Sequence, residues 1–171
     1  MTDVAKEPGR FFMEGFMYRC HPQIERLVEL IGNGEIGKVQ HIEASFGFAS
    51  NYNPDSRLDN PALAGGAILD VGVYPVSLAR LVAGAAQGLP FAEPLEIQGI
   101  GSLRPQEVDA TAYALLQNDK GINASCATSI RRAMDNSATV IGSKGRIHLP
   151  NPWIPGRDAG PSDAIIEIEI A

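Results

Sequence analysis

Gly65-Gly66-Ala67-Ile68-Leu69-Asp70-Val71-Gly72-Val73-Tyr74-Pro75 opens an apolar element that runs on to Gly84. Ile68, Leu69, Val73, Val76, Leu78, Leu81 and Val82 point in almost every direction of a helical wheel, which predicts a buried helix. Pro75 has no amide hydrogen, so it must bend that helix or free one carbonyl. Asp70 and Tyr74 stand four positions apart and on a helix share one face. Two proton-handling groups on a buried element are costly unless polar partners meet them. Either the carboxylate bonds a loop amide and the ring fills the core, or the two work beside an alcohol or carbonyl carbon. A phenol with an ordinary pKa of about 10 gives its proton readily to a developing alkoxide. To act as a base near neutrality it needs a cation, and Arg19 and Lys6 are the candidates.

Upstream of this element the punctuation is that of one helix and one strand. His21-Pro22 starts a helix in which Ile24, Leu27, Val28 and Ile31 recur at helical spacing, and Gly32-Asn33-Gly34 stops it. Arg10-Phe11-Phe12-Met13, after a Pro-Gly turn signal, reads as a short strand. From Val39 the period is two: Ile42, Ala44, Phe46 and Phe48 on one face, His41, Glu43 and Ser45 on the other. A polar loop spans 51–60. Downstream of Gly84 the chain turns to strands: 96–103, 108–117, 122–130, 137–141, 146–149 and a last one over 165–170. The loop 118–121 makes one hairpin, 142–145 a second, and 150–161 is a proline- and glycine-rich loop with the single tryptophan, Trp153. Helices first and antiparallel strands after define an α+β fold.

A length of 171 residues fits one domain with a full core. With 44% apolar and 20% charged residues, and no apolar run read as long enough to cross a bilayer, the chain has a soluble composition and no membrane partner is expected. A net charge of -6 argues against nucleic acid as a partner. Cys20 and Cys126 lie far apart and read as free thiols of a reducing compartment. Residues 1–8 lack the pattern of a secretion signal, so the cytoplasm is the expected location.

Arg19, just before a helix start, is either a surface arginine capping a loop or a fixed cation that orients a substrate oxygen or a cofactor phosphate. His21 reads as a helix cap. His41 and His148 sit in separate strands, so no metal site is expected. Asn151-Pro152-Trp153-Ile154-Pro155 presents an indole that either plugs a core edge or lines a pocket. No G-x-G-x-x-G occurs, so a nucleotide cofactor would be held elsewhere.

Several motifs in order carry a resemblance: Phe12-Met13-Glu14-Gly15-Phe16-Met17-Tyr18-Arg19-Cys20-His21-Pro22-Gln23, Gly34-Glu35-Ile36-Gly37, Asn53-Pro54-Asp55-Ser56-Arg57-Leu58, Asp70…Tyr74, Gly142-Ser143-Lys144-Gly145 and Asn151-Pro152-Trp153. Together they resemble the C-terminal domain of the Gfo/Idh/MocA oxidoreductases along nearly the whole chain. The resemblance implies an open, mainly antiparallel sheet with helices packed on one face, and an absent Rossmann domain. It assigns residues 1–13 to the last strand region of that missing domain and 14–171 to a substrate and catalytic domain truncated at its C-terminus. The implied activity is NAD(P)-dependent oxidation or reduction of a sugar, cyclic alcohol or dihydrodiol.

By the same resemblance Tyr74 and Asp70 are catalytic, Arg19, Arg57 and Trp153 bind substrate, and Arg19 and Pro22 touch the cofactor. NAD or NADP belongs to the full-length enzyme, and neither is expected to bind this chain tightly. The family's Glu-Lys-Pro motif is absent, and Lys6-Glu7-Pro8 lies too close to the following strand to replace it. The alternative reading is a non-catalytic sheet domain that pairs into a homodimer through its open sheet or binds a partner protein.

Overall fold

The computed structural model describes residues 2–155 and 164–171. The second half of the predicted 150–161 loop therefore lies outside the described residues. Three α-helices, α1 (Thr2–Ala5), α2 (Pro22–Gly32) and α3 (Val73–Ala85), accompany seven strands. These are β1 (Val39–Gly47), β2 (Glu96–Leu103), β3 (Asp109–Gln117), β4 (Asn123–Ser129), β5 (Ala138–Gly142), β6 (Gly145–Leu149) and β7 (Glu167–Ile170). They form one sheet in the order β2-β3-β4-β1-β5-β6-β7. Every pairing is antiparallel except that of β1 with β4.

Alternation divides the sheet into two unlike faces. Ile42 and Ala44 of β1 align with Ala124 and Cys126 of β4 and with Val140 and Ala138 of β5. These pack with Ile24, Leu27 and Ile31 of α2 and Leu78 and Val82 of α3 in one core. The opposite face carries Glu43, Ser125, Thr139, His148 and Glu167, in register across five strands. No described helix covers that row, so the fold is the open α+β sheet that the sequence predicts. His21 Nδ1 accepts the Gln23 amide at 3.1 Å, the expected cap of α2. Gln23 Nε2 donates to the Ile165 carbonyl at 2.8 Å and ties α2 to the end of the chain.

Three expectations change. Residues 10–13 form no strand: Phe11 is 87% exposed, and no described strand lies beside them to supply a ladder. Ile68 and Leu69, predicted to be buried, are exposed. Their segment is not α-helix but a π-turn, Ile68–Gly72, in which the Val73 amide reaches back to the Ile68 carbonyl. Pro75, in the first turn of α3, lacks the amide that would close a normal turn onto Val71. The widened turn just before it is how the chain absorbs that loss.

The third change concerns apolar length. Pro61–Ala85 spans 25 residues and contains an 18-residue stretch with a mean hydropathy of 1.5, enough by size and composition to cross a bilayer. It is nevertheless interrupted, by the left-handed Ala64 and by the π-turn. Its α3 part packs on β1 and β4 as a core helix.

The loop 51–60 is pinned by a buried ion pair. Asp59 is fully buried, with Oδ1 2.9 Å from Arg104 Nη1. Its Oδ2 accepts the Asn53 amide at 3.0 Å and the Ser56 hydroxyl at 3.2 Å. Arg104 Nη2 donates to the carbonyls of Ser50 and Ile130 at 3.1 and 2.7 Å. Removing one partner strands the other charge away from water. Arg104→Met should therefore lower stability by about 3–5 kcal/mol in urea denaturation; a loss below about 1 kcal/mol would show that the pair contributes little.

Candidate active site

Tyr74 sits where α3 begins, above the C-terminal end of β1. Four aromatic rings hold its phenol: Phe46 at 5.3 Å, Phe16 at 5.6 Å, Tyr18 at 5.9 Å and Trp153 at 6.2 Å between centroids. Three of these contacts are edge-to-face, the arrangement that ring quadrupoles favour. The ring is half-buried, and its hydroxyl donates to the Met17 sulfur at 3.3 Å. A thioether is a weak acceptor, so a better one can replace it.

Asp70 lies one turn earlier, but its partner is different. Its carboxylate pairs with the guanidinium of Arg57, which reaches over from the 51–60 loop. The Asp70 side chain is 13% exposed and that of Arg57 70%. The structure thus joins Asp70 to Arg57, and gives Tyr74 to Met17 and the rings. Asp70 lies inside the π-turn and Tyr74 in the first turn of α3, so the two side chains leave the chain from different kinds of turn.

Neither candidate cation bonds Tyr74. Lys6 pairs with Asp3 on the surface. Arg19 is exposed, and its Nη1 donates to Ser77 Oγ at 3.4 Å. Ser77 Oγ also accepts the Tyr18 hydroxyl at 2.9 Å. Burial pushes the Tyr18 phenol above its ordinary value, against the lowering effect of Ser77 and the Arg19 charge. The Arg19 charge is therefore felt by Tyr18, the ring behind Tyr74.

Trp153 corrects the pocket-wall expectation. It is fully buried, lies flat on Phe46 at 5.7 Å, and donates Nε1–H to the Ser45 carbonyl at 2.7 Å. It backs the site instead of lining it. Pro22 is exposed at the first position of α2, close in sequence to Arg19. No group of three or more His, Cys, Asp or Glu side chains converges among the described residues.

Beside the site an apolar groove of about 420 Å³ runs between the helix start and the sheet. Ile68, Gly72, Pro75 and Val76 form its roof, and Ala114 and Cys126 part of its floor. Asp70 and Tyr74 do not line it.

The domain has helices on one face of an open, mainly antiparallel sheet, with a phenol and a paired carboxylate where α3 begins. The family model described as GFO/IDH/MocA C-terminal domain matches residues 24–148. The chain belongs to that family. It is 33% identical over 155 residues to mouse (Mus musculus) trans-1,2-dihydrobenzene-1,2-diol dehydrogenase, covering 91% of this chain and 44% of that protein. It is 30% identical over 156 residues to dTDP-3,4-didehydro-2,6-dideoxy-alpha-D-glucose 3-reductase of Actinomadura kijaniata, covering 89% and 44%. Among solved structures, the aldose-aldose oxidoreductase from Caulobacter crescentus complexed with glycerol superposes with a TM-score of 0.80. At 23% identity, covering 99% of this chain and 48% of that one, it supports the fold. The chain spans under half the length of these relatives.

Two free cysteines give a chemical check on the packing. Cys20 is exposed, whereas burial pushes the Cys126 thiol up to about 12. At about pH 8 Cys126 thus stays protonated and shielded, and only thiolates react readily. Ellman's reagent should titrate Cys20 in the folded protein and Cys126 only after unfolding; fast reaction of both would contradict the packing of β4 under α3.

Proposed function

We propose that this chain supplies the substrate-binding and catalytic part of an NAD(P)-dependent oxidoreductase acting on a CH–OH group of a sugar or a cyclic alcohol such as a dihydrodiol. The observation that carries the reading is Tyr74, a phenol held by four rings with only a thioether on its hydroxyl. A substrate hydroxyl that displaces the sulfur meets a positioned proton donor and acceptor. The Arg57–Asp70 pair beside it offers an exposed guanidinium and a carboxylate to neighbouring hydroxyls. Arg19 supplies a further exposed cation near Tyr18, and Trp153 keeps the rings behind the phenol in place.

The residues present fit only the fringe of a dinucleotide site. Among the described residues no glycine-rich turn joins a parallel strand to a helix, the arrangement that cradles a pyrophosphate. Arg19 and Pro22 would touch the cofactor from the side. A bound nicotinamide would supply the hydride donor or acceptor, and it would be held by a second domain. On this reading residues 14–171 are the substrate domain, 1–13 lead in from the nucleotide-binding half, and the chain alone is inactive.

Titration with NADH or NADPH should show no saturable binding to the chain below about 1 mM. Joined in frame to the nucleotide-binding half of a dihydrodiol dehydrogenase, it should turn over, and Tyr74→Phe should lower kcat by about 10²–10⁴-fold. Tight nucleotide binding by the chain alone, or an undiminished kcat in the variant, would overturn the reading.

A second reading rests on the uncovered sheet face. Ile100, Tyr113 and Leu115 share that face and are 77%, 43% and 59% exposed, an apolar end that suits pairing of two copies. A non-catalytic assembly domain would need nothing more. Sedimentation should then give a dimer that Leu115→Glu dissociates; a monomer at all concentrations rules this reading out.

A further inference from the structure

We infer that Arg104 and Asp109, at the closed end of the β2–β3 hairpin, are positioning residues that set the Arg57–Asp70 pair. The inference rests on the reading of Asp70 and Tyr74 as substrate-facing groups. It concerns what holds them, which no local sequence pattern reveals.

The two members of the ion pair come from different segments. Arg57 rides on the 51–60 loop, and Asp70 lies in the π-turn. Arg104 anchors the first segment through Asp59 and the Ser50 carbonyl. Asp109, five residues on, anchors the second: its Oδ2 accepts the Ile68 amide at 2.7 Å. Ile68 is the first residue of the π-turn, and Ala67 before it offers no side-chain cap. The carboxylate of a distant strand thus does the work of a helix N-cap, placing negative charge where the helix dipole favours it. The tight turn between the two anchors, with the Arg104 amide on the Val108 carbonyl at 2.9 Å, fixes their separation.

Gly66 shows how close this anchor lies. Its φ is +119°, a conformation that L side chains rarely adopt, and a Cβ there would collide with Asp109 Oδ1. The Gly66 amide meanwhile donates to the Leu58 carbonyl at 2.9 Å, so the loop and the turn are stitched together directly above Asp109. On the far side Thr128 Oγ1 donates to the Ala67 carbonyl at 3.3 Å. With its first amide held by Asp109 and Pro75 denying it a normal closure, the turn keeps its width. Asp70 sits in the middle of that turn, so its backbone is held with it. Asp109 touches neither group, and its effect passes through the backbone of 66–72.

Residue-resolved amide exchange on this chain tests the inference. Asp109→Ala should speed exchange of residues 68–74 by about tenfold or more relative to β5 and β6, and shift the Tyr74 ring resonances. Asp109→Asn keeps an acceptor oxygen and should stay within about threefold of the unaltered protein. Unchanged exchange in the Ala variant overturns the inference. So does an equal acceleration over the whole sheet in both variants, which is what a general folding role would give. In the unaltered protein the Ile68 amide resonance should move as the Asp109 carboxyl protonates. A flat Ile68 signal through the acid titration overturns the proposal even if Asp109→Ala does not fold. None of these readouts uses turnover, so failure of the catalytic reading of Tyr74 would leave them standing.

Discussion

The hydrogen bond from the Trp153 indole to the Ser45 carbonyl, with the ring laid flat on Phe46, closes the wall of aromatic side chains against which Tyr74 rests. Buried Trp needs a partner for its N–H, and here that partner is a carbonyl near the C-terminal end of β1. That contact fixes Phe46, and Phe46 with Phe16 and Tyr18 fixes the phenol. A tyrosine so confined has little rotamer freedom left to lose when a ligand binds its hydroxyl. The geometry thus favours proton exchange at one defined atom.

Around that phenol the fold sets polar groups at the carboxyl ends of the parallel pair β1 and β4. β1 and β4 run side by side, and the π-turn with Asp70 lies over their ends, in contact with Thr128. Loops at such ends are free to carry function while the sheet below stays rigid. Here they are not left free: Asp59–Arg104 pins the loop that presents Arg57, and Asp109 pins the turn that presents Asp70. The exposed Arg57 guanidinium remains available while both backbones are fixed.

Much of the fold is legible because local chemistry dictates it. His21-Pro22 and Gly32 bound α2, strict alternation marks β1, and Asn118–Gly121 marks a hairpin, each signal lying within its own element or next to it. The site is legible only in part. Tyr74 and Asp70 stand out by their apolar setting, but their partners do not: Asp109 is 41 positions from Ile68, and Arg104 is 45 from Asp59. Periodicity reports which face a residue takes, not which distant strand meets it. Pro75 announces a disturbed helix without saying that the disturbance is a widened turn. The Phe11–Met13 run shows the reverse error, since apolar composition makes a strand only where a neighbouring strand exists to pair with it.

The most direct test follows the four tyrosines, Tyr18, Tyr52, Tyr74 and Tyr113, by NMR of ring-carbon label at the hydroxyl-bearing position while a polyol such as glycerol or glucose is added. The account predicts that the Tyr74 resonance moves with saturation while those of Tyr52 and Tyr113 stay fixed. Binding of the polyol that leaves Tyr74 unmoved would contradict it.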